Sequence, residues 1–293
     1  MIDKKRLSAV IITYNPDIQV LIENIGQIQP QVDKVVIIDN GSKNIDLIRN
    51  SVQNVDIINL ETNVGIAKAL NIGIEFVQQL GYSWVFTLDQ DSILPDNVAH
   101  NFLKFINSND ISHVGILAPR IFDRGWNKKQ VVIEKNSIKG DYQIIHRSIT
   151  SGNLVNISAW EQVKGFDEKL FIDWVDFDFN KRLELQGFNI VQINSVIMNH
   201  EIGVGIHPKI LHRILLYSKN RKFYDHSPVR QYYFYRNKVI YFRKYETGLK
   251  KLRILFFVIL STREAFLYSQ PKMRKFFSAL KGLKDGFQFK IHS

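Results

Sequence analysis

The predicted fold depends on one stretch of sequence, Trp84-Val85-Phe86-Thr87-Leu88-Asp89-Gln90-Asp91-Ser92. Its first five residues are mostly apolar, which is typical of a strand buried on both faces in the middle of a parallel sheet. Two aspartates follow directly, one residue apart. In open α/β sheets, ligands bind just beyond the carboxyl ends of the strands. We therefore expect Asp89 and Asp91 to lie at a binding site.

The spacing of these two aspartates favours a metal site. Extended backbone can point both carboxylates in the same direction, because one residue separates them. Carboxylate oxygens beside open coordination positions suit Mg²⁺ or Mn²⁺ shared with the diphosphate of a substrate. A solvated, Asp-rich turn that starts a helix is the alternative for an isolated Asp-x-Asp, since Pro95 and Asp96 follow. The remainder of the chain decides between the two interpretations.

Strand-like and helix-like segments alternate through the first 200 residues. Five predicted strands span 32–38, 56–60, 84–88, 111–119 and 190–197, and two more begin at Ser8 and at Ser151. The predicted helices span 18–28, 66–80 and 96–107. Such alternation predicts βαβ units, right-handed crossovers and a mainly parallel sheet. Residues 121–147 are polar and irregular, which indicates a hairpin or flexible loops.

Polar residues cluster at three consecutive strand ends. The clusters are Thr13 with Asn15, Asp39-Asn40-Gly41-Ser42, and the acidic pair. Three clusters along one sheet edge would line a crevice suited to a nucleotide. Asn63-x-Gly65 lies at a predicted helix start, where unpaired N–H groups favour anions. The sequence has neither a Gly-x-Gly-x-x-Gly dinucleotide motif nor a P-loop, which argues against those two classes.

A second acidic cluster lies in Phe171-Ile172-Asp173-Trp174-Val175-Asp176-Phe177-Asp178-Phe179. Crowded carboxylates with apolar neighbours tend to have raised pKa values, as a general base requires. The alternative is a helix N-terminus decorated with acids, which explains one or two aspartates more easily than three. His200 follows the last predicted strand, and a metal ligand and a structural histidine are equally good interpretations of it.

Charge divides the chain near residue 207. From Lys209 to the end there are 20 Lys and Arg against 4 Asp and Glu, whereas the preceding residues carry a net charge of −5. We predict a catalytic domain at 1–206 and a basic, aromatic helical region at 207–293. The absence of cysteine fits a cytosolic protein. The longest apolar run in the tail, 254–260, is well short of the roughly 20 residues that span a bilayer.

The basic tail predicts an anionic partner, either nucleic acid or a phospholipid surface. Helices lying in a membrane interface, with basic residues on anionic head groups, fit the mixture of Arg, Lys and aromatics. The alternative is a helical subdomain that packs its apolar face on the protein and leaves a solvated basic face. No nucleic-acid motif is visible, so we expect no nucleic-acid partner.

The order and spacing of several motifs resemble a known family. The matching stretches are 10–15, 38–42, 63–71, 87–92, 151–152, 165–173, 175–178 and 200–203. Together they are similar to the inverting family-2 glycosyltransferases, which have a GT-A fold, a Rossmann-like α/β sheet flanked by helices. The Asp-Gln-Asp-Ser form of the acidic motif resembles the rhamnosyltransferase-like group of bacterial surface polysaccharide synthesis.

The resemblance implies a role for each matched residue. The donor base and ribose would be held by Thr13, Asn15 and Asp39. The ribose and diphosphate would lie along Asn63, Gly65 and Lys68. The sugar would be lined by Ser151 and Gly152, and Gln90 would also contact the donor. Asp89 and Asp91 would bind the metal, with His200 as a further ligand. Asp176 aligns with the catalytic base, with Asp178 and Arg182 orienting it. Val175 replaces the usual Glu of the motif, which leaves Asp173 open as a rival base.

The resemblance also implies a reaction. It is a metal-dependent, inverting transfer of L-rhamnose from dTDP-L-rhamnose to a lipid-linked saccharide, by a cytoplasmic enzyme bound peripherally to the inner face of the cell membrane. Transfer from UDP-galactofuranose, UDP-glucose or UDP-galactose is the alternative within the same fold. A nucleic-acid-binding protein that uses the basic tail is the alternative of another class. The acceptor, the linkage and a homo-oligomeric state stay open.

Overall fold

Two compact units make up the chain. In the computed structural model, which describes residues 7–123, 138, 140–200, 205–206 and 223–291, one unit comprises Met1–Phe171 with Val175–His200 and the other Ile172–Trp174 with Glu201–Ser293. The short excursion of 172–174 into the second unit is a feature that the sequence did not predict. The expected division at 206 and 207 lies close to the second boundary, within a stretch of largely undescribed residues.

A single eight-stranded sheet forms the centre of the first unit. Its strands, in chain order, are β1 Leu7–Thr13, β2 Lys34–Asp39, β3 Asp56–Asn59, β4 Trp84–Asp89, β5 Val114–Asp123, β6 Tyr142–Ile145, β7 Asn153–Asn156 and β8 Asn189–His200. The spatial order is β3-β2-β1-β4-β7-β5-β8-β6. Strands β1 to β4 pair in parallel, as do β5 and β8, whereas β7 is antiparallel to both its neighbours and β6 to β8. The predicted mainly parallel α/β sheet is confirmed.

Helices flank this sheet and bury one apolar stripe each. They are α1 Ile18–Ile28, α2 Ile45–Ser51, α3 Ile66–Gln79, α4 Val98–Ser108, α5 Ile157–Gln162 and α6 Val175–Leu185. In α1, Leu21, Ile25 and Ile28 recur at spacings of three and four and are buried. Asp17 starts this helix by accepting hydrogen bonds from the amides of Gln19 and Val20. The buried residues of α1, α2 and α4 share one core with residues of the buried strands.

The structure corrects several predicted boundaries. Strand β5 begins later than predicted and runs to Asp123, and most of the segment expected to form a hairpin or loops, 124–137, lies outside the described residues. The strand expected from Ser151 begins at Asn153 and runs between β4 and β5. Helix α2 was not predicted, because it is short and no side chain caps its start.

The second unit is helical where it is described, apart from a two-residue pairing of β9 Gly205–Ile206 with β10 Phe223–Tyr224. Its helices are α7 Pro228–Tyr245, α8 Gly248–Ser261 and α9 Lys272–Gln288, with a 3₁₀ helix at Thr262–Leu267. Tyr235 and Val239 of α7 pack with Leu255 of α8 and Leu283 of α9. None of the helices in the described part of the chain is both long and apolar enough to cross a bilayer.

Gly65 permits a close approach that no other residue would allow. It precedes α3 with φ +88° and ψ 156°, a backbone region open essentially to glycine alone. A Cβ atom there would lie 2.5 Å from the Cδ2 atom of Phe171. The amide of Ile66 donates a 2.7 Å hydrogen bond to the Phe171 carbonyl, so the two segments are also joined by their backbones. The Asn-x-Gly motif therefore brings Phe171 against the start of α3.

We expect Gly65→Ala to lower the free energy of unfolding by about 3 kcal/mol, because it combines a backbone region open essentially to glycine with overpacking against Phe171. Gly81 is the matched control, because its φ is +82° but nothing lies within 4 Å of a Cβ atom there. Gly81→Ala should cost only about 1 kcal/mol, the backbone contribution alone. Urea unfolding of both variants measures the difference, and equal losses would show that the Phe171 contact is unimportant.

Candidate active site

The polar ends of β1 and β2 form a buried hydrogen bond. Parallel pairing sets Thr13 opposite Asp39, and the Thr13 hydroxyl donates to Asp39 Oδ1 at 2.9 Å. The other carboxylate oxygen accepts from the Ser42 amide at 2.9 Å. Both Thr13 and Asp39 are 0% exposed. In this conformation they brace the turn after β2, and a direct contact of either side chain with a ligand requires the loops to move.

The loops after β1 and β2 are joined to each other and to the acidic turn. The Asn15 amide donates to Ser42 Oγ at 2.7 Å, and Asn15 Oδ1 accepts from the Lys43 amide at 2.9 Å. Gln90, between the two aspartates, accepts a 2.8 Å hydrogen bond from the Tyr14 amide. The three strand ends thus form one hydrogen-bonded rim, with Asn15 exposed on it.

The Asn-x-Gly turn uses its asparagine internally. Asn63 Oδ1 accepts from Asn40 Nδ2 at 3.1 Å and from the Gly65 amide at 3.0 Å, which ties this turn to the end of β2. Lys68, in the first turn of α3, is exposed. Of the residues predicted for the ribose and diphosphate, Lys68 therefore offers a charge to an anion, whereas Asn63 and Gly65 shape the loop.

The acidic pair follows β4, and hydrogen bonds hold the backbone of Asp89 in place. The Asp89 amide donates to Ser151 Oγ at 3.0 Å, and its carbonyl accepts from Asn24 Nδ2 at 2.8 Å. Asp89 is half-buried and Asp91 is exposed. Because the backbone of the turn is held from two sides, the two carboxylates need no reorganisation of the main chain to bind a ligand.

These carboxylates suit a hard divalent cation. Among the described residues, no group of three His, Cys, Asp or Glu side chains is close enough to enclose a metal. Two carboxylates with solvent access nevertheless match the way Mg²⁺ is bound beside phosphates, through one or two carboxylates and substrate oxygens. His200 pairs with Asp123 through its backbone in β8, but its side chain lies outside the described residues. Its role as a ligand stays a prediction.

Ser151 and Gly152 lie against the end of β4. The Gly152 amide donates to the Thr87 carbonyl at 2.8 Å, and a Cβ atom on Gly152 would lie 2.7 Å from Met198 Sδ. The Ser151 side chain is buried and bonded to Ser92 as well as to Asp89. Both residues therefore hold the end of β4 and the acidic turn by hydrogen bonds, next to the place predicted for the sugar.

The second acidic cluster is split between the two units. Asp176 and Asp178 lie in the first turn of α6, in the first unit. Asp176 is half-buried and lines a narrow void, without room for a water molecule, together with Thr87 of β4 and Thr150. Thr87 is two residues before Asp89. Side chains two residues apart in a strand point to the same face, so Asp176 and Asp89 are on the same side of the sheet.

Asp178 has a structural partner. Its side chain is 4% exposed, and Arg182, one turn later in α6, donates to Asp178 Oδ2 at 2.7 Å. Arg182 also donates to the Gly165 carbonyl at 2.6 Å. The ion pair lies within α6 and orients the guanidinium, and the bond from Arg182 to the Gly165 carbonyl ties this helix to the preceding turn. The geometry fits the predicted orienting role.

Sequence reasoning assigned no role to Asn71. This buried residue of α3 donates to the Phe166 carbonyl at 2.9 Å and accepts from the Phe166 amide at 2.8 Å. The Asn71 side chain therefore satisfies the amide and the carbonyl of Phe166, as a neighbouring strand would, while Arg182 binds the carbonyl of Gly165. A polar residue on the apolar stripe of a predicted helix was the signal that could have identified it.

Asp173 has a different environment from Asp176. It groups with the second unit, where its carboxylate forms an ion pair with Arg230 of α7. Burial raises the pKa of the Asp173 carboxyl above its usual range, and the charge and hydrogen bonds of Arg230 oppose that rise. The sequence predicted a basic, aromatic region that includes Arg230 but could not pair this arginine with a residue 57 positions earlier.

Known proteins resemble this chain in both sequence and fold. The sequence profile of Glycosyl transferase family 2 matches residues 8–160. The chain is 31% identical over 255 residues to the dTDP-rhamnosyl transferase RfbF of Shigella flexneri, covering 80% of this chain and 79% of that one. Its fold is similar to that of S. aureus TarS 1–349 in complex with UDP-GlcNAc, with a TM-score of 0.53 and 14% identity over 97% of this chain and 81% of that one. It is also similar to GalNAc-T7 with UDP, GalNAc and Mn²⁺, with a TM-score of 0.57 and 13% identity over 98% and 57% of the respective chains.

Proposed function

The chain belongs to glycosyl transferase family 2, and we propose that it moves L-rhamnose from dTDP-L-rhamnose onto a hydroxyl of a lipid-linked saccharide in cell-surface polysaccharide synthesis. The observation that supports this reaction best is the position of Asp176, which lines one void with Thr87, two residues before the acidic pair. A leaving-group site and a base on the same side of the sheet are what a single displacement requires. The identity to a dTDP-rhamnosyl transferase supports the choice of donor.

In this proposal the rim formed by the ends of β1, β2 and β4 receives the nucleotide. Asn15 and Lys68 are exposed there and would contact the nucleoside and the diphosphate, while Thr13 and Asp39 keep the rim in shape from below. Asp89 and Asp91 would hold Mg²⁺ or Mn²⁺. When bound, such an ion neutralises charge on the departing nucleoside diphosphate.

Asp176 would act as the general base. Its carboxylate accepts the proton of the acceptor hydroxyl while that oxygen attacks the anomeric carbon. The bond between the anomeric carbon and the diphosphate oxygen breaks in the same step, on the opposite face of the sugar. One displacement inverts the configuration, so no enzyme nucleophile is needed. Arg182, oriented by its ion pair with Asp178, ties α6 and with it Asp176 to the turn at Gly165.

Ligand-dependent stabilisation tests donor and metal together. A ligand at a hundred times its Kd stabilises the folded state by about 2.7 kcal/mol, so a bound nucleotide sugar raises the Tm. We expect dTDP-L-rhamnose with Mn²⁺ to give the largest shift among a panel that includes UDP-glucose, UDP-galactose and UDP-galactofuranose. Asp91→Asn should remove the increment that Mn²⁺ adds. A larger shift with a UDP sugar would overturn the rhamnose donor, and no shift with any of them would overturn the function.

Asp176→Asn should remove nearly all turnover and leave donor binding intact. Loss of a general base lowers kcat by about 10²–10⁴-fold, whereas the amide keeps the shape of the side chain. Isothermal titration of the donor and a transfer assay measure the two effects. Asp46→Asn, on the exposed Asp46–Arg49 pair of α2, is the matched control and should behave as wild type. If Asp173→Asn loses turnover while Asp176→Asn keeps it, Asp173 is the base.

The second unit offers a surface for an anionic membrane. Leu249, Leu252, Phe256 and Ile259 of α8 recur at helical spacing and are 43–85% exposed. Lys250 and Arg253 are exposed on the same helix. An exposed apolar stripe with basic flanks fits the interface of a bilayer that contains anionic lipids. Nucleic acid is a poorer match, because its affinity for proteins comes mainly from phosphate contacts, which the four exposed apolar side chains of this stripe cannot make.

Vesicle sedimentation tests this surface. We expect the protein to sediment with phosphatidylglycerol vesicles and the double variant Leu252→Glu/Phe256→Glu to lose that binding, because two carboxylates cannot enter the apolar layer. Leu47→Glu is the matched control, since Leu47 is 58% exposed on α2 in the first unit. Unchanged sedimentation of the double variant, or retention on DNA in place of vesicles, would contradict a membrane surface on α8.

A further inference from the structure

The turn that precedes α6 has an unfavourable backbone. Phe171, Asp173 and Trp174 have φ values of +65°, +63° and +67°, and none of them is a glycine. A residue with a Cβ atom adopts this left-handed region only at a cost. Three such residues within four positions persist only where the surroundings hold them.

A side-chain ion pair provides the first contact. Arg230 Nε lies 3.1 Å from Asp173 Oδ1 and 3.3 Å from Oδ2, and Arg230 Nη2 lies 3.1 Å from Oδ1. The guanidinium therefore contacts both carboxylate oxygens through Nε and one of them also through Nη2, which restricts the orientation of the carboxylate. Asp173 is 11% exposed and Arg230 is 47% exposed, so the arginine reaches a largely buried carboxylate from the surface.

The backbone and the aromatic ring of the turn are held as well. Asn237, which is 0% exposed, donates from one amide nitrogen to the carbonyls of Ile172 at 2.8 Å and Asp173 at 3.0 Å. The Trp174 ring lies 5.2 Å from that of Tyr241. Arg230, Asn237 and Tyr241 are separated by seven and four residues, which puts them on one face of α7.

We propose that Arg230 and Asn237 are positioning residues for the catalytic base. They hold residues 172–174 in the left-handed turn from which the chain passes directly into α6, with Asp176 as the second residue of that helix. Asp173 is then the anchor of this turn and not a second base. The assignment of a catalytic effect rests on the proposed function, in which Asp176 accepts the proton.

The ion pair opposes proton uptake at Asp173, although burial raises the pKa of its carboxyl. Both of its oxygens are occupied by the guanidinium, and proton uptake would leave Arg230 without its partner. His226 also lies near Arg230, and burial together with the charges of Arg230 and Lys275, opposed by Asp225, lowers the pKa of His226 to about 4. His226 is therefore neutral, and does not titrate, between about pH 6 and pH 9.

Kinetics of four variants test the proposal. We expect Arg230→Gln and Asp173→Asn each to lower kcat by about tenfold to hundredfold, because a small displacement of a base is costly. The KM for the donor should stay within about twofold of wild type, since ground-state binding is unaffected. Arg230→Lys, which keeps the charge but not the fork, should fall between. The double variant Arg230→Gln/Asp173→Asn should have a kcat no lower than that of the less active single variant, because both substitutions remove the same contact.

A matched control and two structural readouts separate positioning from general damage. Arg274→Gln removes an exposed arginine of α9 and should retain full activity. Hydrogen exchange of the amides at 171–178 should accelerate in Arg230→Gln, with the Tm within a few degrees of wild type. The acid limb of the pH–rate profile should persist in Asp173→Asn and disappear in Asp176→Asn.

Three results would overturn the inference. They are an Arg230→Gln variant with wild-type kcat, unchanged exchange at 171–178, and a loss of the acid limb in Asp173→Asn, which would make Asp173 the base. Failure of the wild type to transfer any sugar would instead overturn the proposed function and the catalytic role with it. The exchange data would then still decide whether Arg230 holds the turn.

Discussion

Parallel pairing of β1 with β2 and β4 is the constraint on which the candidate site depends. It sets Thr13 opposite Asp39 and Ile12 opposite Asp89, so three polar strand ends reach the same edge of the sheet. Hydrogen bonds between side chains and loop amides then join these ends, as in the bond from Tyr14 to Gln90. A register slip of one residue would turn each of these side chains to the opposite face. The buried apolar strands thus determine the chemistry that the polar ends can perform.

Behind this rim, two buried polar groups hold the helix that carries Asp176. Asn71 holds the Gly165-Phe166 turn from α3, and Arg182 holds it from α6 while paired with Asp178. Buried polar groups are tolerated only when they are paired, so each of these bonds depends on the others. A substitution at Asn71, Arg182 or Asp178 is therefore expected to disturb the whole Gly165-Phe166 turn.

The sequence predicted the parts of the structure that follow from local pattern. The apolar runs of β1 and β4, the stripe of α1 and the polar strand ends were readable, because burial and turn chemistry leave direct marks on composition. The antiparallel direction of β7 was not, because an apolar run looks the same in either direction. The pairing of Asp173 with Arg230 was not readable either, since it joins residues 57 positions apart through tertiary structure.

The exposed stripe on α8 has a consequence for kinetics. Four apolar side chains from Leu249 to Ile259 extend over about 15 Å of helix. Under the proposed function, an enzyme that rests on a bilayer through this stripe would search for its lipid-linked acceptor in two dimensions. Its velocity would then follow the number of acceptor molecules per unit of lipid area, and adding inert lipid would slow the reaction even at constant bulk acceptor concentration.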